Sequence, residues 1–306
     1  MQKILPEALG ASLYIPAIKN DILAHANGLR LPHVRSMIFC TEDSIGLEEV
    51  RFALNNLRKS LPSFKKTPNK LRFIRVRNAS VMGQILSMEG ASNVDGFVLP
   101  KITANNIGTY LDLLSSHDKK FHLMPTLETA EVFDQDAMKK LRDLLLTRGV
   151  QERILSLRIG GNDLFSVLGI RRSPERTIYE TGLGHTIASL ASTFKPHGFN
   201  LTGPVFESFA HPEVLKREVV QDLDHGLFGK TAIHPSQIPL IEHFYGVSQQ
   251  EFEVATAILQ DDAPAVFNMH NTMCEPATHR SASLKMVTRA EIYGIREENL
   301  QIRVAV

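Results

Sequence analysis

The sequence predicts an α/β fold of the (β/α)8 TIM-barrel class with a C-terminal helical extension. Three observations carry this reading. Eight short β-rich runs recur along the chain, most of them near-continuously apolar, as strands buried on both faces are. Segments with helical spacing lie between them, and strands alternating with helices build parallel sheets. The length of 306 residues suits eight such units, and no Gly-x-Gly-x-x-Gly or P-loop pattern follows the first run.

The first run is Leu13–Ala17. The second, Ser36–Cys40, leads into Leu47–Lys59, where Leu47, Val50, Leu54 and Leu57 repeat at the spacing of one helix face. Runs three and four are Leu71–Arg77 and Gly96–Lys101, and Ala104–Leu114 reads as the helix after the fourth. Phe121–Leu127 precedes a helix over Asp136–Arg148. Ile154–Gly160 precedes a helix from Leu164 and another over His185–Phe194. Asn200–Phe206 precedes Pro212–Leu223, and Leu227–Ile233 precedes Pro235–Phe244, with proline at the helix start. Ser248–Asp261 reads as one more helix. Residues 1–262 are therefore assigned to the barrel and 263–306 to the extension. The extension is read as a lid, a subunit contact or surface packing.

Composition removes several classes. A net charge of +1, from 34 basic and 33 acidic residues, provides no broad positive field for nucleic acid. The basic stretch Lys59–Arg77 reads as a solvated loop entering a strand, or alternatively as a local phosphate site. Two cysteines, Cys40 and Cys274, form neither a disulfide framework nor a Cys-x-x-Cys pair. No apolar run reaches the roughly 18–20 residues needed to cross a bilayer. The N-terminal segment is broken by Pro6, Glu7, Gly10 and Lys19, unlike a signal-peptide core. A cytoplasmic protein with free thiols and no membrane partner is the expectation.

A barrel of this class builds its active site where the strands end. Polar residues stand there in number: Glu42 and Asp43 after run two, Arg75 and Arg77 in run three, and Lys101 closing run four. Glu128 follows run five, Asp163 follows run six, and His234 follows run eight. Glu128 and Asp163 are hard oxygen donors suited to Mg²⁺, and no His/Cys cluster suggests zinc. Each residue also has a plain structural reading. Asp163 would cap a helix at Leu164, Glu42 or Asp43 would cap the helix near Leu47, and His234 would hold a loop. Arg75 and Arg77 would simply give their strand one polar face.

The residues also form an ordered series. Ser12-Leu-Tyr-Ile-Pro16, Cys40-Thr-Glu-Asp-Ser-Ile45 and Ile74-Arg-Val-Arg-Asn78 come first. Gly96-Phe-Val-Leu-Pro-Lys101, Thr126-Leu-Glu-Thr-Ala130 and Gly160-Gly-Asn-Asp-Leu164 follow. The series closes with Gly226-Leu-Phe-Gly-Lys-Thr-Ala-Ile-His-Pro-Ser-Gln-Ile238 and Val254-Ala-Thr-Ala-Ile-Leu259. Together they resemble the HpcH/HpaI aldolase and citrate lyase beta-subunit superfamily over about Ser12 to Leu259. The altered motifs resemble its divergent carbon–carbon lyase branch from tellurium-resistance gene clusters.

The resemblance implies a TIM barrel that binds Mg²⁺ through Glu128 and Asp163, with Glu42 and Asp43 holding metal-bound water. It implies that Arg75 contacts the substrate carboxylate. Arg77 falls at the family's Asn position, and Arg77 and Lys101 join Arg75 as substrate-binding candidates. Met273-Cys-Glu-Pro276 resembles a late motif whose acid reaches a neighbouring subunit's site, which would make Glu275 catalytic. A homo-oligomer and a small carboxylate or acyl-CoA substrate follow from the same resemblance. Two departures, Cys40 and Thr202 where the family has Asp, imply a different pocket.

The expected activity is Mg²⁺-dependent carbon–carbon lyase or aldolase chemistry on a keto acid or acyl-CoA-type substrate, through a metal-stabilised enolate. Glu275, His234 and a metal-bound water are the candidate bases. Lys101 is read as an electrostatic group rather than a Schiff-base former. Two alternatives stand beside this. One is a barrel that binds a metabolite or partner without catalysis, and the other is metal-assisted hydrolysis of an acyl thioester.

Overall fold

Eight parallel strands form one sheet in the order β7-β6-β5-β4-β3-β2-β1-β8. They are β1 (Ala11–Pro16), β2 (Ser36–Cys40), β3 (Leu71–Arg75), β4 (Gly96–Leu99), β5 (His122–Leu127), β6 (Leu157–Ile159), β7 (Leu201–Thr202) and β8 (Lys230–Ala232). The computed structural model describes residues 4–115 and 121–296. It divides into two compact units, residues 1–238 and 239–306.

The helices of the first unit are α1 (Ile22–Ala26), α2 (Val50–Ser60), α3 (Ala79–Leu86), α4 (Ile107–Ser115), α5 (Gln135–Thr147), α6 (Gly161–Leu168), α7 (Leu183–Phe194) and α8 (Pro212–Asp224). Their starts have local causes. Asn78 accepts a hydrogen bond from the Val81 amide to open α3, and Asp134 accepts from Asp136 and Ala137 to open α5. Their inner faces bury apolar residues three or four apart, such as Met138, Leu141 and Leu145 of α5. The helices α1 and α3 were not anticipated. One has five residues, and the other has eight with Gly83 inside it, too short for a helical period to emerge.

The barrel interior is layered. Ile38, Phe73, Val98 and Met124 point inward and join Leu9 and Leu155 in a buried cluster. Each such side chain removed from water contributes about 1.5–3 kcal/mol. Two residues further along, on the same face, stand Cys40, Arg75 and Thr126, which line a cavity. The interior therefore changes from apolar to polar within one strand step.

The barrel closes between β7 and β8, two of its shortest strands. Run seven was expected to reach Phe206, but Pro204 has no N–H and ends the ladder. A bridge between Gly203 and Lys230 and the bond from the Phe228 amide to the Leu201 carbonyl (2.9 Å) make the seam. Buried charges brace it. Lys230 Nζ donates to Glu218 (2.9 Å) and Asp222 (2.7 Å) of α8. Arg172 holds the other Glu218 oxygen at 2.8 Å, and the Tyr179 hydroxyl donates to Asp222 at 2.6 Å. A Cβ on Gly203 would collide with the Asp222 carboxylate, so the seam admits only glycine there.

The second unit contains most of α9 (Gln237–Tyr245), then α10 (Gln249–Leu259), the antiparallel pair β9 (Phe267–Met269) and β10 (Thr272–Cys274), and α11 (Pro276–Tyr293). A reciprocal Ser248–Glu251 capping box opens α10. Arg289 of α11 donates from Nε to the Tyr245 carbonyl at the end of α9 (3.0 Å). The extension is thus helical with one inserted hairpin. Among the described residues, no helix is long and apolar enough to cross a membrane.

Two stability outcomes follow. Lys230→Met leaves two carboxylates buried beside each other and should cost about 3–5 kcal/mol in denaturant unfolding. Burial pushes the Asp222 carboxyl up to about 6, against Lys230 and with Glu218. A raised carboxyl makes the native state bind more protons than the unfolded chain. Its contribution is complete below the ordinary value of 3.8 and is lost as pH rises through about 6. The stability of native protein minus that of Asp222→Asn should therefore fall across this window, as read by urea titrations at stepped pH.

Candidate active site

Residues of β1, β2, β3, β5, β6 and β8 and of the loops after them line a cavity of about 430 Å³ in the first unit. Arg75, the last residue of β3, stands at its centre of charge. Its Nε donates to Glu42 at 2.6 Å, and its Nη2 lies 2.9 Å from Asp43 and 3.1 Å from Glu128. Burial alone would lower the Arg75 pKa, but Tyr14, Glu128 and Glu42 raise it above the ordinary value. The guanidinium is a permanent charge.

Glu128 is only 2% exposed. Burial pushes its carboxyl up to about 7, with Arg75 opposing the rise and Asp163 adding to it. Its Oε1 accepts the Lys101 amide at 2.8 Å. That bond requires an unusual backbone, because Lys101 adopts a left-handed φ of +51°. A non-glycine residue in such a conformation stores about 1–3 kcal/mol, which the surrounding bonds must offset. The Asn106 side chain helps by donating to the Lys101 carbonyl at 2.8 Å.

The Lys101 ammonium reaches Glu42 at 2.8 Å and Asp163 at 3.5 Å. Burial lowers its pKa, and Glu42, Asp163 and Asp43 more than reverse this. The group is therefore held protonated. Asp163 stands in the first turn of α6 and lines the cavity with Glu128. Gly160 precedes that helix, and a Cβ there would collide with Glu128. The missing side chain is what lets the Glu128 carboxylate lie against the β6–α6 turn.

Several expected residues thus come together: Arg75, Glu42, Asp43, Glu128, Asp163 and Lys101. Others take different places. Arg77 directs Nε to the Thr41 carbonyl and Nη2 to the Glu42 and Ile45 carbonyls, so it clamps the loop after β2 and does not line the cavity. The capping expectations are corrected. Gly160 occupies the N-cap of α6, and Gly46 precedes the turn at Leu47, where Glu49 supplies the side-chain bond. His234 does hold a loop: its Nδ1 contacts the Ser236 hydroxyl at 2.7 Å, and its ring stacks on Phe209. Glu275 belongs to the second unit, immediately before α11, where its Oε2 accepts from Thr278.

Among the cavity residues that sequence reasoning did not single out are Tyr14, Thr126, Arg158 and Thr231. The available signal was Arg158 itself, a single charge inside the otherwise uncharged run Ile154–Gly160.

Among the described residues, no three His, Cys, Asp or Glu side chains converge as a metal cage. The donor set still fits one kind of ion. Glu128 and Asp163 offer hard oxygens on one cavity wall, and the cluster has four carboxylates against two cations. That surplus of negative charge suits a small divalent ion that retains waters.

Comparisons with known proteins identify the family and the fold. Residues 3–295 match the family described as C-C bond lyase of the TIM-barrel fold. The chain is 27% identical to a (3S)-malyl-CoA thioesterase of Cereibacter sphaeroides over 245 residues, 79% of each protein. It is 26% identical to the citrate lyase beta subunit of Escherichia coli over 164 residues, 50% of this chain and 53% of that one. Its fold superposes on CitE from Mycobacterium tuberculosis, solved with magnesium, acetoacetate and coenzyme A. The TM-score is 0.70 at 19% identity, covering 94% of this chain and 100% of the other.

Removing the central cation should separate the two positive groups. Arg75→Gln leaves Glu42 and Glu128 buried without their guanidinium and should cost about 3–5 kcal/mol. The Lys101 side chain is 47% exposed. Lys101→Met should therefore cost no more than about 1 kcal/mol in the same denaturant titration.

Proposed function

The chain belongs to the C-C bond lyase family of the TIM-barrel fold, within the citrate lyase beta-like superfamily. From that premise, we propose that it is a Mg²⁺-dependent lyase that makes or breaks a carbon–carbon bond beside a carbonyl. The substrate class is a keto acid or an acyl-CoA. The observation that carries the reading is the pair Glu128 and Asp163 on one wall of a cavity with surplus negative charge.

In this reading Glu128 and Asp163 would hold the ion, and Glu42 and Asp43 would orient water beside it. Bound there, the ion would act as a Lewis acid toward a carbonyl oxygen. Arg75 places a fixed positive charge beside the reacting carbonyl and orients a carboxylate. Lys101 adds a second positive charge beside Glu42 and Asp163. Glu275, acting at a neighbouring copy's site in a cytoplasmic homo-oligomer, carries the proton on its carboxylate oxygen. The magnesium, acetoacetate and coenzyme A in the Mycobacterium tuberculosis structure support this choice of ion and substrate class.

A second reading has its own support, since the Cereibacter sphaeroides relative is a thioesterase. Hydrolysis would use the same wall with water as the acyl acceptor. Malyl-CoA separates the two: free thiol without a new carbonyl compound means hydrolysis, and a new carbonyl compound without free thiol means carbon–carbon cleavage.

Calorimetry tests the metal site directly. Mg²⁺ should bind the native protein, and more tightly with oxaloacetate or pyruvate present. Glu128→Gln and Asp163→Asn should each lose at least about tenfold in affinity. A native protein that takes up no Mg²⁺ with or without keto acid would overturn the proposal and favour a non-catalytic binding barrel. Glu275→Gln should leave Mg²⁺ affinity unchanged and abolish turnover.

A further inference from the structure

Among the described residues, most buried charged side chains face an opposite charge. Arg75 faces Glu42, Asp43 and Glu128, Arg172 faces Glu207 and Glu218, and Lys230 faces Glu218 and Asp222. Arg158 of β6 is 2% exposed and has no such partner among the described residues. Its Nη2 donates to the Thr231 hydroxyl at 2.5 Å, and its Nη1 lies 3.7 Å from the Met124 sulfur. Its Cζ stands 5.7 Å from the Tyr14 ring centroid. None of these neighbours carries negative charge. A guanidinium buried without an anion is costly, so a fold that keeps one leaves its charge for a ligand to satisfy.

A second observation points to the same place. Thr126 of β5 is the register partner of Arg158 and lines the cavity beside it. It is 2% exposed, and its hydroxyl oxygen has no hydrogen-bond partner. Thr202, the register partner of Arg158 on β7, has a buried hydroxyl in the same condition. One row across three strands thus presents a guanidinium flanked by two unsatisfied hydroxyls. Arg75 and Arg158 also share Tyr14, with each Cζ within 6.0 Å of its ring centroid. The phenol ring stands between an arginine occupied by carboxylates and an arginine without one.

We propose that Arg158, with Thr126 and Thr231, seats a second carboxylate of the substrate. Resting on the lyase reading above, this narrows the substrate to an acid with two anionic ends. One end would face Arg75 and the cation that Glu128 and Asp163 would hold, and the other meets the Arg158 fork. A planar guanidinium grips a carboxylate through two parallel bonds, and the hydroxyl of Thr126 can donate a further one.

The test compares oxaloacetate with pyruvate, which lacks the second carboxylate, by calorimetry with Mg²⁺ and again in EDTA. The native protein should prefer oxaloacetate by about tenfold or more, the range of a charge-assisted bond. Arg158→Gln should bring that ratio close to one while pyruvate still binds. Arg158→Lys keeps the charge without the fork and should give an intermediate ratio. Thr126→Val, nearly isosteric, should weaken oxaloacetate more than pyruvate. Arg158→Met should raise the melting temperature of the ligand-free protein, because it removes an unpaired buried charge.

A ratio that survives Arg158→Gln overturns the proposal, as does a native protein that binds both acids equally or neither. Failure of the Arg158 variants to fold marks a structural arginine and overturns it too. The metal reading is judged separately. EDTA that leaves both affinities unchanged defeats that reading while leaving the Arg158 ratio to stand.

Discussion

Three carboxylates in a water-poor barrel mouth repel one another by about 4 kcal/mol per pair at 4 Å and an effective dielectric of 20. Glu42, Asp43 and Glu128 coexist because Arg75 stands among them. Arg75 is placed by β3, whose register brings its Cα opposite Cys40 on one side and Val98 on the other. Glu42 and Asp43 come from the loop after β2, and Glu128 comes from the end of β5. The electrostatic centre therefore depends on barrel curvature, which alone brings those strand ends within reach of one side chain. Lys101 depends on it in turn, since its left-handed backbone is anchored to the Glu128 oxygen.

The protein contains a second ionic cluster with a different balance. At the seam, Arg172 and Lys230 face the buried Glu218 and Asp222, and Arg172 also meets the half-buried Glu207, two cations against three carboxylates. Such a set is satisfied internally and serves closure. At the mouth, two cations face four carboxylates, with Asp43 and Lys101 partly open to water. Both sets carry an excess of carboxylates, but the one beside a cavity is open to a ligand and the sealed one is not. The contrast arises from solvent access, not from residue type, since both clusters use the same kinds of side chain.

The architecture was legible because parallel strands covered on both faces must be apolar, and their spacing survives in the linear sequence. The strand-end carboxylates were legible for the same reason, as polar residues where an apolar run stops. Arg77 misled because alternation along a strand does not say whether a charge faces a cavity or a loop carbonyl. The caps misled because glycine, with no side chain to signal, took both positions. Arg158 was hidden by the opposite effect. A single charge within an apolar run looks like noise until register places it beside Thr126 and Thr202. Pairing across strands is long-range information, and a linear reading does not contain it.

The space that Gly160 leaves for Glu128 binds two distant positions into one inherited unit. A Cβ at residue 160 would meet both the carboxylate and the Cβ of residue 128, so a shorter acid there would not lift the prohibition. Drift at residue 160 is therefore constrained by a residue 32 positions away along the chain. The β6–α6 turn keeps its glycine for as long as the end of β5 carries any side chain at all.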